Sequence, residues 1–272
     1  MKKITVIQIN SRDDKAANLA KLETLIRAAH QADHADYILT PEHSFCMTAD
    51  KATMHAAAET LEDGEGLRRM ADLARELNTT IHIGSILTKR DGRYYNTSVV
   101  IGPDGNQLAS YDKMHRYDVD LPSGLSYRES DTNDAGDAAV TYDHNGISVG
   151  MSVCYDVRFG ALYLALAARG AQVITIPAAF TFETGAAHWD TLVRARAIET
   201  QCYVAAAGQV GSFPAPGGDR ANFGNSQIVD PWGKVLARCS DVEGWASASI
   251  DQAYQSRVRQ NLPVARHRRA IA

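Results

Sequence analysis

ISVGMSVCYDVRFG, residues 147–160, reads as a buried strand that stops on a thiol, Cys154, with Tyr155, Asp156 and Arg158 immediately after it. ALYLALAARG follows as a helix and QVITIP as another buried strand. A second helix, from Gly185 to Thr200, then leads to the strand CYVAAAG. The half closes on NSQIVDPWGKVLARC, two β-rich runs around the turn signal Asp230-Pro231-Trp232-Gly233. The first half tells the same story. ITVIQI is a strand, and Lys15 to Ala32 is a helix with Leu19, Leu22, Leu25, Ile26 and Ala29 at helical spacing. ADYILT is a strand that stops at Pro41, and Gly66 to Leu77 is a helix feeding the strand TTIHIGSIL. YYNTSVVIGPDGNQLASY is a hairpin turning on Pro103-Asp104-Gly105. A duplicated unit of alternating strands and helices, closed each time by a hairpin, predicts two packed mixed sheets with helices outside. Between the halves, the polar stretch from Arg116 to Gly146 reads as a long functional loop within a single domain spanning 1–272, because neither half has the strands to stand alone.

The chain has 272 residues, 45% of them apolar and 22% charged, with a formal net charge of −4. No global positive field is available to hold nucleic acid or an anionic membrane, which points to a small-molecule partner. The basic cluster RHRR near the C-terminus is too short to change that expectation. No apolar run approaches the roughly 20 residues of a membrane span, and no secretory leader is evident, so a cytoplasmic protein is expected. The four cysteines, at 46, 154, 202 and 239, are far apart and form no C-x-x-C pair of the kind that marks zinc or a dithiol redox centre, so reduced thiols are expected.

Ligands of α/β sheets gather beyond the carboxyl ends of strands. Three reactive residues fall there: Glu42 after ADYILT, Lys113 after QLASYD and Cys154 after GISVGMSV. Singly, each has a structural reading: an inert buried thiol, a helix-capping carboxylate, a solvated lysine. Together they supply a nucleophile, a base to take its proton and a cation for the oxyanion formed on attack at a carbonyl.

These motifs resemble the nitrilase superfamily of carbon–nitrogen hydrolases. The likeness runs through TPEHSF at Glu42, YDKMHRYD at Lys113, YRESDTNDAGD at Glu129, SVCYDVRFG at Cys154, HWDTLVRARAIETQCYVAAAGQ and GNSQIVDPWGKVLA. It implies an α-β-β-α sandwich, a homodimer or higher homo-oligomer, and no metal or organic cofactor. It also implies Cys154 as nucleophile, Glu42 as general base, Lys113 as stabiliser of the tetrahedral intermediate and Glu129 as a second, orienting glutamate. Physically, a Glu42 enclosed by apolar walls would have a raised pKa suited to taking the thiol proton. The backbone N–H of Tyr155 is the expected second oxyanion donor. Asp156 beside Arg158 reads as a structural ion pair, while Arg158 suits either that pairing or a substrate carboxylate. AAFTFETGAAHW adds Thr184 as a substrate contact, Phe180 as either packing or substrate contact and His188 as a framework residue, with Trp189, Val193 and Ala197 in the core or an interface.

Within the superfamily, KMHRYDVDLPSGLSYRESDT is similar to omega-amidases acting on 2-oxoglutaramate, whereas RARAIETQCYV, DPWGKVLARCS and LPVARHRR are similar to deaminated glutathione amidases. The likeness to the second branch extends further. Both imply hydrolysis of a small carboxylate-bearing amide with release of ammonia; other aliphatic amidases and N-carbamoyl hydrolases are the alternatives. Gly160-Ala161 and Asn225 depart from the family pattern and bear on substrate choice. Two rival readings remain: a cysteine–histidine thiol hydrolase drawing on one of nine histidines, and a silent binding module.

Overall fold

The computed structural model describes residues 2–120, 124, 126–215 and 218–269. Strand β1 (Lys3–Gln8) passes through helix α1 (Lys15–Asp33) to β2 (Tyr37–Leu39). Helices α2 (Lys51–Ala56) and α3 (Glu65–Leu77) lead to β3 (Thr80–Arg90), followed by β4 (Arg93–Ile101) and β5 (Gln107–Asp112). The polar stretch after β5 is not a bare loop. It holds a small hairpin, β6 (Asp118–Asp120) with β7 (Ser126–Arg128), a 3-10 turn at Glu129–Asp131 and a sheet strand, β8 (Thr141–His144); Leu121, Pro122, Ser123 and Leu125 lie outside the described residues.

The second half runs β9 (Ile147–Met151), α4 (Gly160–Ala168), β10 (Val173–Ala178), α5 (Phe182–Thr200) and β11 (Tyr203–Gly208). Helix α5 begins three residues before the expected Gly185, because Thr181 O accepts the Gly185 N–H and draws Phe182–Thr184 into its first turn. A short hairpin, β12 (Val210–Phe213) with β13 (Arg220–Phe223), then precedes β14 (Gln227–Val229) and β15 (Val235–Arg238). The chain finishes with β16 (Gly244–Ser249), α6 (Gln252–Asn261) and α7 (Val264–His267).

Two six-stranded sheets result, ordered β16-β1-β2-β3-β4-β5 and β15-β14-β11-β10-β9-β8. In each, three strands are parallel: β1, β2 and β3 in one, β9, β10 and β11 in the other. Each parallel trio has an antiparallel hairpin on one side and a single antiparallel strand, β16 or β8, on the other. The duplication expected from the sequence is thus present in pairing sense as well as in strand order.

Strand periodicity explains the layers. Along β1, Ile4 and Val6 point inward, where they meet Tyr37 and Leu39 of their own sheet and Val149, Val173, Tyr203 and Ala205 of the other. Ile7 and Ile9 point outward against Leu22 and Ile26 of α1 and Met70 of α3. On the other outer face, Ile174, Ile176 and Val204 pack on Leu162 and Leu166 of α4 and Trp189 and Val193 of α5. The molecule is therefore an α-β-β-α sandwich, and each fully buried Ile or Val in it contributes on the order of 1.5–3 kcal/mol.

One polar seam crosses the apolar layer between the sheets. Tyr37 OH meets Tyr142 OH of the opposite sheet at 2.6 Å and His82 Nδ1 at 2.6 Å, while His82 Nε2 meets Ser98 Oγ at 2.6 Å. Burial lowers the His82 pKa from its usual 6.5 to about 3, so the ring stays neutral there.

Candidate active site

Strand ends bring the reactive residues together. Pro41, after β2, and Pro177, in β10, approach each other over Gly84 of β3. A Cβ on Gly84 would lie 2.0 Å from Thr40 O and 2.5 Å from Pro177 Cβ, so only glycine permits the approach. Glu42 emerges directly after Pro41. Lys113 follows β5, its N–H bonded to Asn96 O at 2.9 Å, and Glu129 opens the 3-10 turn of the inter-half segment. Cys154 opens the 3-10 turn Cys154–Arg158 with φ +50, a left-handed conformation that turns the chain sharply at the thiol.

Glu42, Lys113 and Glu129 expose only 2% of their surface and Cys154 6%. Lys113 Nζ lies 2.9 Å from Glu42 Oε1 and 2.8 Å from Glu129 Oε2. Asn96 Nδ2 donates to both carboxylates, at 2.9 Å to Glu42 and 3.1 Å to Glu129. Ala179 N–H donates to Glu42 Oε2 at 2.8 Å, and Tyr117 N–H to Glu129 Oε2 at 2.6 Å. All four expected residues line one cleft, whose walls include Met47, Met54 and Phe213.

The electrostatics correct one expectation. Burial does push the Glu42 carboxyl upward, but the Lys113 ammonium, His43 and the Cys154 side chain outweigh it and hold the pKa down at about 2. The walls around Glu42 are not apolar where they touch it. Burial pulls the Lys113 pKa down, yet Glu129 and Glu42 outweigh it and keep the pKa well above the usual range. Burial, followed by the Glu42 charge, raises the Cys154 thiol well above its ordinary value. The resting site is accordingly carboxylate, ammonium and neutral thiol.

Asp156 gives the second correction. It does not pair with Arg158. Fully buried, its Oδ2 accepts from Val153 N at 2.9 Å and Tyr111 OH at 2.7 Å, and its Oδ1 from His115 N at 3.1 Å and His115 Nδ1 at 2.7 Å. Tyr111 OH in turn accepts Met114 N–H at 3.2 Å. One carboxylate thereby ties the turn carrying the sulfur to the loop carrying Lys113. The N–H of Tyr155 lies in the first turn of this 3-10 segment, where helical geometry offers no internal acceptor.

Arg158, Phe180 and Thr184 do not line the large cleft. With Tyr155 they surround a smaller cavity that also reaches Cys154 and shares Tyr117, Ala179 and Thr181 with the cleft. Arg158 Nη1 meets His188 Nδ1 at 3.3 Å, and its guanidinium lies 5.2 Å from the Phe180 ring centre. His188 is an exposed partner of Arg158, whereas Trp189, Val193 and Ala197 are core residues as expected. Asn225 is held by Arg238 at 2.8 Å and lines neither cavity, and Cys46 is buried away from both. Asn96, Tyr111, His43 and Arg220 are not singled out by the sequence. Only Asn96 carries a signal there, as a polar residue inside the β-rich run YYNTSVV. His43 lines the cleft with Nε2 3.9 Å from Glu42 Oε1, but its buried Nδ1 has no partner among the described residues, so nothing orients a cysteine–histidine pair there.

The model of the carbon-nitrogen hydrolase family matches residues 3–260, and the chain belongs to that family. It is similar to human deaminated glutathione amidase, at 37% identity over 98% of this chain and 82% of the relative. It is equally comparable with mouse omega-amidase NIT2, at 35% identity over 98% of this chain and 95% of that one. The crystal structure of the Caenorhabditis elegans NitFhit protein superposes with a TM-score of 0.90 at 36% identity; the match covers 98% of this chain and 65% of that longer one. The fold is that of the nitrilase superfamily, and the chain is a carbon–nitrogen hydrolase, an amidase with a buried cysteine suited to a thiol nucleophile. Among the described residues, no helix is long and apolar enough to cross a membrane and no group of three or more His, Cys, Asp or Glu is arranged to hold a metal.

Proposed function

We propose that the chain, as one domain over 1–272, hydrolyses the amide of a small carboxylate-bearing molecule through a thioester on Cys154, with deaminated glutathione the first candidate and 2-oxoglutaramate the second. The observation that carries this reading is the buried Glu42–Lys113–Glu129 cluster sharing one cleft with Cys154. The names of the relatives, deaminated glutathione amidase and omega-amidase, support the substrate class.

Cys154 sulfur bonds to the amide carbon as the thiol proton passes to Glu42. A carboxylate held near pKa 2 is a poor base for a thiol held so high, which ties proton transfer to bond formation. The growing oxyanion draws the Lys113 ammonium away from Glu42, and Glu42 becomes more basic as that contact loosens. Lys113 and the Tyr155 N–H hold the oxyanion. The C–N bond then breaks, and Glu42 returns the proton to the nitrogen, which leaves as ammonia. Water attacks the thioester with Glu42 taking its proton; the C–O bond forms, the C–S bond breaks and the sulfur regains a proton. The net change is amide plus water to acid plus ammonia. Glu129 orients Lys113 and Asn96 orients Glu42 through their hydrogen bonds.

The same reading includes a cytoplasmic homodimer or higher homo-oligomer, testable by light scattering. For the chemistry, ammonia release from deaminated glutathione and 2-oxoglutaramate is measured beside simple amides, nitriles and N-carbamoyl compounds. Release should be fastest from one of the two oxo-acid amides, and Cys154→Ala should lower it by at least about 10³-fold with an unchanged circular dichroism spectrum. Full activity in Cys154→Ala would refute the mechanism.

A further inference from the structure

The short helix α2 serves the active site in two ways. Asp50 caps it by accepting the Thr53 N–H at 2.7 Å, and Met54, buried, forms part of the cleft wall. Lys51 and His55, four residues apart and so on one face of the helix, reach instead to the turn that carries Glu129. Lys51 Nζ donates to Asp131 O, and His55 Nε2 lies 2.9 Å from Thr132 O. A carbonyl oxygen only accepts, so Nε2 carries a proton and donates it to this bond. The imidazole also lies flat on the Tyr94 ring, with centroids 3.8 Å apart and planes within 8° of parallel. Tyr94 belongs to β4, two residues before Asn96, and its carbonyl accepts the Asp134 N–H at 2.8 Å.

We propose that His55 is a positioning residue for the reaction and acts through Glu129, by fixing the turn from which that carboxylate holds Lys113. The inference rests on the hydrolase reading and adds to it the device that sets the geometry of the cluster from outside. The path is short. Thr132 N–H and Asn133 N–H both donate to Glu129 O, at 2.9 and 3.2 Å, so the Thr132 peptide and the Glu129 backbone are tied to each other. Glu129 Oε2 in turn lies 2.8 Å from Lys113 Nζ. The 3-10 turn has three residues and no side-chain cap, so it lacks the internal bonds that stiffen a longer helix. The stack on Tyr94 sets the imidazole against the strand that also carries Asn96, the donor to both Glu42 and Glu129. His55 therefore refers Glu129 and Asn96 to one frame. Met54 precedes it on the same helix, so the apolar wall and the second glutamate are fixed relative to each other.

The test follows ammonia release from whichever of deaminated glutathione and 2-oxoglutaramate the wild type cleaves faster, in substitutions that separate the two contacts. His55→Phe keeps a ring for Tyr94 but has no donor for Thr132 O; His55→Gln keeps an amide N–H but gives up the stack. His55→Phe should lower kcat about threefold to tenfold, the factor set by one hydrogen bond, with KM within about twofold. His55→Ala, which removes both contacts, should lose at least as much, and His55→Gln should recover most of the wild-type rate. His55→Phe is also combined with Glu129→Gln and read in single turnover with enzyme in excess, which measures slow variants. There its effect should shrink to within about twofold, because the group it positions is gone. Wild-type kcat in His55→Phe or His55→Ala, a loss in His55→Gln equal to that in His55→Phe, or an undiminished effect beside Glu129→Gln would overturn the inference and leave the hydrolase reading standing. A wild type that releases ammonia from neither compound would overturn both.

Discussion

The two halves of the chain have the same strand order and the same pairing senses, yet they bring different chemistry to the cleft. Lys113 and Cys239 occupy matching places: each follows the last strand of a hairpin, and each N–H reaches across to the neighbouring strand, Lys113 to Asn96 O at 2.9 Å and Cys239 to Ser226 O at 2.8 Å. Lys113 enters the cleft, whereas Cys239 packs into the apolar layer between the sheets. Counted from the two prolines, Glu42 after Pro41 matches Ala178 after Pro177. The first half, with the segment that joins it to the second, supplies the charges. The second half supplies the sulfur and the N–H groups of Tyr155 and Ala179. A repeated framework places equivalent strand ends on either side of one pseudo-symmetric seam, and only the side chain at each end decides which of them reacts. The closing strands differ too, since β8 joins β9 through a tight turn while β16 reaches β1 from the far end of the chain.

The largest expected contrast is between Lys113→Met and Cys239→Ala. Removing the lysine leaves two buried carboxylates without their cation. Activity should fall at least on the order of 10³-fold, and stability by about 3–5 kcal/mol in denaturant titration. Cys239→Ala should stay within about twofold in activity and cost about 1 kcal/mol. Comparable activity losses in the two variants would break the asymmetry between the halves.

Next comes Asp156→Asn, at the tie between the sulfur turn and the lysine loop. An amide there places N–H donors opposite the donors of Val153 and His115. A loss of about 2–3 kcal/mol and a fall in kcat of about 10²-fold, with KM little changed, is the expected result. A change in KM alone would show that the tie does not position the reacting groups.

The smallest effect concerns the polar seam joining the sheets. His82 has a folded pKa of about 3 against 6.5 when unfolded, so below pH 6.5 the unfolded chain takes up a proton that the folded one refuses. Stability conferred by the neutral ring is complete above pH 6.5 and declines as pH falls, by up to about 1.4 kcal/mol per pH unit. Urea midpoints measured from pH 7 to pH 5 should therefore fall less steeply in His82→Gln than in the wild type. Parallel curves would remove His82 from the pH response.

Much of the framework is legible in the sequence because its signals are local. The spacing of Leu19, Leu22 and Ile26, the runs ITVIQI and QVITIP, and the Pro-Asp-Gly and Asp-Pro-Trp-Gly turns each declare an element within a dozen residues. Strand β16 is hidden because GWASAS is small and mixed, and its strand character comes from pairing with β1 more than 230 residues away. The β12–β13 hairpin, with Arg220 on it, lacks alternating hydrophobicity and is held by contacts to α5 and Phe180. The Asp156 ties escape a reading of the sequence because Arg158 is near in the chain while Tyr111 and His115 are near only in space.

The amino-acid sequence by itself determined the repeated order of strands and helices, the sandwich they build and the reactive types that close their ends, since these depend on periodicity, turn chemistry and chain order. Tertiary structure alone decided how those ends meet and in what ionic state. Whether Glu42 rests charged or neutral depends on an ammonium 71 positions along the chain that folding brings to 2.9 Å, and Coulomb energies at such a distance, away from water, outweigh any preference written into the residue itself.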